Sequence, residues 1–160
     1  MTSATPAPDV SVTVRFVEEA DESTWKRLYA GYRDFYRLAP DDDVVERVWG
    51  WILRRENGLR GLVAVDEADG PIGLATVRTF ARPSSGTVGL YLDDLFTSPE
   101  SRGRGAGSAL LARLATLAAE DGASVVRWIT AADNNTARSV YDAHATATPW
   151  VTYDLQPARG

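Results

Sequence analysis

The sequence predicts a mixed α/β fold, a mostly antiparallel sheet flanked by helices, and three observations carry that prediction. Stretches with apolar residues at every second position are interspersed with stretches at three- and four-residue spacing. Their order is strand, two helices, three strands, helix, strand, helix, strand, unlike the strict alternation of a parallel sheet. The three consecutive strands are separated only by turn residues, which makes them a meander.

Each element follows from its letters. Residues 1–9 mix Ser, Thr, Ala and Pro without periodicity and are expected to be a disordered tail, leaving one domain over 10–160. "VSVTVRFV" (10–17) alternates as a strand. Asp21 is expected to cap a helix in which Trp25, Leu28, Tyr29, Tyr32, Phe35 and Tyr36 share a face. After Pro40, the acids Asp41, Asp42 and Asp43 suit the start of a second helix, carrying Val44, Val45, Val48, Trp49, Ile52 and Leu53 inward. Asp69-Gly70 and Pro83-Ser84-Ser85-Gly86 divide the meander. "GSALLARLATLAAEDG" is an amphipathic helix with Gly122 as its stop, "SVVRWIT" a buried strand, "NNTARSVYDAH" a short capped helix and "PWVTYDL" a last strand.

With 160 residues the chain has the size of one self-sufficient domain. It has no cysteine, which excludes disulfides and thiolate catalysis, and its single histidine, His144, leaves no metal centre of the usual Cys/His kind. The opening "MTSATPAPDV" lacks the basic start and apolar core of a signal peptide, and no apolar run is long enough to span a bilayer, so a cytoplasmic location without membrane contact is expected. A formal net charge of −5 disfavours nucleic acid and is compatible with an amine ligand or simply with solubility.

Between the strand "GTVGLYLDDLFT" and the third helix lies Arg102-Gly103-Arg104-Gly105-Ala106-Gly107. Such a run either makes a tight turn or turns its backbone N–H groups toward an anion at the helix start. It is not a P-loop, which needs a Gly-Lys-Ser/Thr step, and its glycine spacing fits a dinucleotide fingerprint poorly.

Arg102, Gly105 and Gly107 read R-x-x-G-x-G, and with the flanking strand and helix this segment resembles the GNAT superfamily of acyl-CoA N-acyltransferases. Trp128 followed by Asn134, Ala137 and Tyr141 resembles the family's second cofactor motif, and the likeness runs from about Arg15 to Leu155. The resemblance implies a single-domain GNAT fold whose sheet splays between strands 4 and 5. It implies acetyl-CoA as cosubstrate, held by the backbone of Leu95, Phe96 and Thr97, by the loop residues Arg102, Gly103, Arg104, Gly105, Ala106, Gly107 and Ser108, and by Asn134, Ala137 and Tyr141. No metal is needed.

The resemblance also implies roles. Tyr141 would protonate the departing thiolate, and Asp93 would handle the proton of the attacking amine, since an alkylamine with a pKa of about 10 is nucleophilic only when neutral. Strict alternation would put Tyr91, Asp93, Leu95 and Thr97 on one face and Leu92, Asp94 and Phe96 on the other, giving Asp94 a structural role. Tyr29, Tyr32, Tyr36, Tyr91 and Asp93 would line the acceptor pocket, where aromatic faces suit a cation. His144 is expected to pack or be exposed rather than catalyse.

One segment departs from the pattern. After Tyr141 many members carry a Leu-Gly-Phe-like turn, whereas this chain has "DAHATATPWVTYDL", which leaves room for a rerouted strand or one shared in a homodimer. The expected activity is direct acetyl transfer from acetyl-CoA to a primary amine, the acceptor being a small molecule. The alternatives are an acetyltransferase acting on a protein or peptide amine, and a noncatalytic acyl-CoA-binding module.

Overall fold

The computed structural model describes residues 11–160, so the N-terminal tail expected over 1–9 and the start of the first strand at Val10 lie outside the described residues. The chain divides into two compact units, one up to Ile129 and one over Thr130–Gly160.

The first unit is a five-stranded sheet in the order β1-β2-β3-β4-β5. β1 (Val12–Phe16), β2 (Leu59–Asp66), β3 (Gly70–Arg82) and β4 (Thr87–Thr97) are antiparallel neighbours, whereas the two-residue β5 (Val126–Arg127) runs parallel to β4. Helix α1 (Glu22–Phe35) and helix α2 (Asp42–Arg54) precede the meander, and α3 (Ala106–Glu120) follows it. The turns are those the sequence announces: Gly70 and Gly86 both take the left-handed backbone that only glycine adopts without strain.

Burial explains the helix faces. Trp25, Leu28 and Tyr29 of α1 and Val45, Val48, Trp49 and Ile52 of α2 form one core with Leu59, Val63, Leu74 and Phe96 of the sheet. Residues one step along the strands, such as Leu62 and Ala75, face the other way, where α3 contributes Leu110, Leu111, Leu114 and Leu117. Burying a leucine of this kind contributes about 2 kcal/mol, so the sheet is clamped from both sides.

Four local expectations change. Asp21 precedes α1 as its cap residue, but its side chain makes no capping bond there. Its carboxylate instead accepts from both Arg15 terminal nitrogens, at 2.7 and 2.9 Å, and from the Glu18 amide, because β1 brings an arginine within reach. The Arg15 hydrogen bond holds the Asp21 pKa below the ordinary carboxylate range.

The larger change is in β4. A bulge opposite Thr76 and Val77 pairs Asp94 with Thr76 and Leu92 with Val77, so Asp93 has no partner in the ladder. The extra residue breaks the period of two, and the expected segregation of Asp93 and Asp94 on opposite faces does not occur.

The second unit holds α4 (Asn135–His144), followed by residues 145–160 without regular structure. The expected strand at "PWVTYDL" is absent. Trp150, Val151, Tyr153 and Leu155 are exposed, and the segment carries no regular structure. The strand expected at "SVVRWIT" shrinks to Val126 and Arg127, both half-buried rather than buried.

Candidate active site

β4 organises the candidate site, because it is paired on both sides only near its start. β5 meets it at Leu90 and Tyr91, and the Ser124 amide donates to the Val88 carbonyl. Beyond Tyr91 the two strands part, leaving Leu95, Phe96 and Thr97 paired to β3 alone among the described residues. An unpaired strand edge offers backbone donors and acceptors to an extended ligand.

That edge runs into the glycine turn. Gly103 and Gly105 have φ of +85° and +81°, a conformation that strains any other residue, and Gly105 caps α3. A Cβ placed on Gly103, Gly105 or Gly107 would meet nothing within 4 Å, so the turn borders open space at the positive end of a helix. The residues present therefore fit the pyrophosphate of a CoA thioester. Arg102 lies over the Phe35 ring at 5.5 Å, and Arg104 is paired with Asp69 and Asp66 of the β2–β3 turn. Ala106 is buried; Ser108 continues the first turn of α3.

Across the α1–α2 face of the sheet lies a cavity of about 410 Å³ lined by Tyr29, Val48, Trp51, Asn57, Leu59, Thr76, Arg78, Asp93 and Asp94. Asp93 and Asp94 line it together, the direct consequence of the bulge. Asp93 accepts from Arg78 Nε at 3.0 and 3.3 Å with its two oxygens. Burial pushes its pKa above the ordinary value, while Arg78 draws it back. Asp94 is more enclosed, and burial raises its pKa too, against the hydroxyls of Tyr32, Thr76 and Tyr29, which favour the anion. Such a carboxylate can take up a proton.

Of the tyrosines expected in an acceptor pocket, Tyr29 lines this cavity, whereas Tyr32, Tyr36 and Tyr91 are not among its lining residues. Trp25 stacks on Tyr29 at 4.7 Å, Tyr29 on Tyr32 at 5.4 Å, and Tyr32 meets Tyr36 at 4.9 Å, a column running from a fully buried ring to one that is 42% exposed. Burial and the nearby Asp94 charge push the Tyr29, Tyr32 and Tyr36 hydroxyls up, so all three stay protonated donors. Tyr91 lies on β4 with its ring covered by the Arg78 guanidinium at 4.6 Å and meeting the Phe80 ring edge-on.

In the second unit, Asn134 caps α4: its Oδ1 accepts from the Ala137 amide at 3.4 Å, and its Nδ2 donates to Thr130. Tyr141 is half-buried on the same helix and His144 is exposed at its end. Among the described residues no helix is long and apolar enough to cross a membrane, and no cluster of His, Cys, Asp or Glu could hold a metal.

Sequence reasoning missed Arg78, and it set Asp94 apart from Asp93, whereas both line the cavity. A signal for Arg78 exists: counting back from the turn at Pro83–Ser85 pairs Arg82 with Thr87 and therefore Arg78 with Tyr91.

The sheet opens along β4, with a glycine turn at the end of that strand and a carboxylate-lined cavity on its face. The chain belongs to the acetyltransferase (GNAT) family, whose model matches residues 25–145. It is 26% identical over 143 residues to a D-amino-acid N-acetyltransferase of Saccharomyces cerevisiae, covering 89% of each chain. It is 29% identical over 133 residues to an N-acetyltransferase of uncharacterised specificity, YhfO, from Bacillus subtilis, covering 82% of this chain and 87% of that one. Among solved structures, a probable acetyltransferase superposes with a TM-score of 0.80 at 19% identity, covering 92% of this chain and 99% of the other. An aminoglycoside N-acetyltransferase in complex with CoA superposes with a TM-score of 0.78 at 18% identity, covering 92% and 95%. The GNAT fold is thus established.

Proposed function

We propose that this protein transfers the acetyl group of acetyl-CoA directly to the primary amine of a small molecule in a ternary complex. The observation that carries the reading is the β4 strand itself, whose free edge and glycine turn suit a CoA thioester and whose bulge turns two carboxylates into one cavity.

The acceptor arrives as an ammonium ion and loses a proton to the carboxylate pair. Asp94 is the better acceptor, being enclosed and held above the usual carboxylate range, while Asp93 keeps Arg78 in place. The amine lone pair then forms the C–N bond at the thioester carbon. Backbone N–H groups on the β4 edge are available to the carbonyl oxygen as it gains charge. The C–S bond breaks, and Tyr141 protonates the thiolate, whose conjugate thiol has a pKa of about 8.5. Arg102 and the amides from Gly103 to Ser108 hold the pyrophosphate, with Asn134 and Ala137 on the second motif.

Initial-rate kinetics with both substrates varied test this scheme. Intersecting double-reciprocal lines are expected; parallel lines, together with an acetylated protein, would indicate a covalent route instead.

A further inference from the structure

Among the described residues, Arg78 is the only cationic side chain lining the cavity that holds Asp93 and Asp94. Its Nε is committed to Asp93, and the plane of its guanidinium rests on Tyr91. A guanidinium has five N–H donors, and among the described residues the four on Nη1 and Nη2 make no hydrogen bond. The Asp93 bond and the Tyr91 ring both orient the Arg78 side chain, which projects from strand β3. A forked donor oriented at a cavity wall matches a carboxylate, which accepts two parallel N–H bonds.

The remaining lining has a complementary division. Asp94, with the Tyr29 hydroxyl at 3.5 Å, offers an anion in a cavity that Tyr29 and Trp51 also line, which suits an ammonium group. Val48, Trp51 and Leu59 present an apolar wall. A dication would place its second positive charge near Arg78, whereas a zwitterion satisfies Asp94 and Arg78 together.

Resting on the acetyltransferase reading above, we propose that the acceptor is a free amino acid: its amine is directed by Asp94, its carboxylate is held by the Nη groups of Arg78, and its apolar side chain lies against Val48, Trp51 and Leu59. The reaction balances as amino acid ammonium plus acetyl-CoA giving N-acetyl amino acid, CoA thiol and one proton, with C–N formed and C–S broken.

The test compares compounds differing in one group: L-leucine and D-leucine, the corresponding leucinamides, 3-methylbutylamine, which lacks the carboxylate, and spermidine as a polyamine. Thiol release with acetyl-CoA should give a kcat/KM for at least one leucine enantiomer about tenfold or more above its amide, the amine and spermidine, the range expected for a charged hydrogen-bonded pair. In Arg78→Gln the ratio of leucine to leucinamide should fall toward one, and Arg78→Lys should restore part of it, with thermal melts showing that both variants fold. An amide, amine or polyamine used as well as leucine, or a ratio unchanged in Arg78→Gln, overturns the amino-acid assignment while acetyl transfer stands. Binding of acetyl-CoA with no thiol release for any of these compounds overturns the amino-acid assignment, and no release with aminoglycosides or peptides either would take down the acetyltransferase reading as well.

Discussion

Asp94 stands directly opposite Thr76 in the β3–β4 ladder, whereas its neighbour Asp93 has no partner there. The pair therefore shares one cavity but not one environment, since Asp93 is bound to Arg78 and Asp94 sits among tyrosine hydroxyls. Asp94→Asn is expected to lower kcat about a hundredfold or more, as removal of a proton acceptor does. Asp93→Asn should act mainly by loosening Arg78 and raising KM. Steady-state kinetics separate the two, and a larger kcat loss in Asp93→Asn would reverse the roles.

Asp94 also links stability to pH. Burial raises its folded-state pKa above the unfolded value of about 3.9, so the folded state holds this proton when the unfolded chain has released it. Its contribution is present below that unfolded pKa and is lost as pH rises through the raised folded value. Asp94→Asn lacks this loss, so its midpoint in urea should gain on the parent as pH is raised above about 4. A difference independent of pH contradicts the burial of an ionisable group at this position.

The turn at Gly105 can be tested without chemistry. With φ at +81°, Gly105→Val combines a strained backbone with a side chain in the open space beside the loop, and acetyl-CoA binding by calorimetry should be lost. Asparagine tolerates the left-handed region better than valine does, so Gly105→Asn should fold normally yet still bind more weakly. Unchanged affinity in both would remove the loop from the cofactor site.

Tyr141→Phe keeps the ring and deletes the hydroxyl. We expect turnover to fall about a hundredfold or more while acetyl-CoA affinity changes little, the pattern of a proton donor. Equal loss of both would assign the residue to packing.

Much of this was legible before any coordinates. The meander and the glycine turn follow from short-range chemistry: Asp69-Gly70, Pro83 and Arg102–Gly107 dictate backbone direction within a few residues. The aromatic stripe of α1 is likewise a matter of spacing, and its column from Trp25 to Tyr36 follows it. What stayed hidden depends on partners distant in sequence. Nothing in "YLDDLF" departs from alternation, so the bulge at Asp93 becomes visible only when β4 is laid against β3. Asp21 has the letters of a cap, yet Arg15, six residues away, claims its carboxylate. "PWVTYDL" has the letters of a strand, but alternation alone does not make one, and Tyr153 and Leu155 stay 91% and 96% exposed.

The most direct measurement is acetyl-CoA-dependent release of free CoA thiol by the purified protein against amino acids, small amines, polyamines, aminoglycosides and peptides, with the acetylated product identified by mass spectrometry. Release above the amine-free background, with an acetylated small molecule as product, is the result this account predicts. Tight binding of acetyl-CoA without release for any acceptor would contradict it and point to a noncatalytic CoA-binding role.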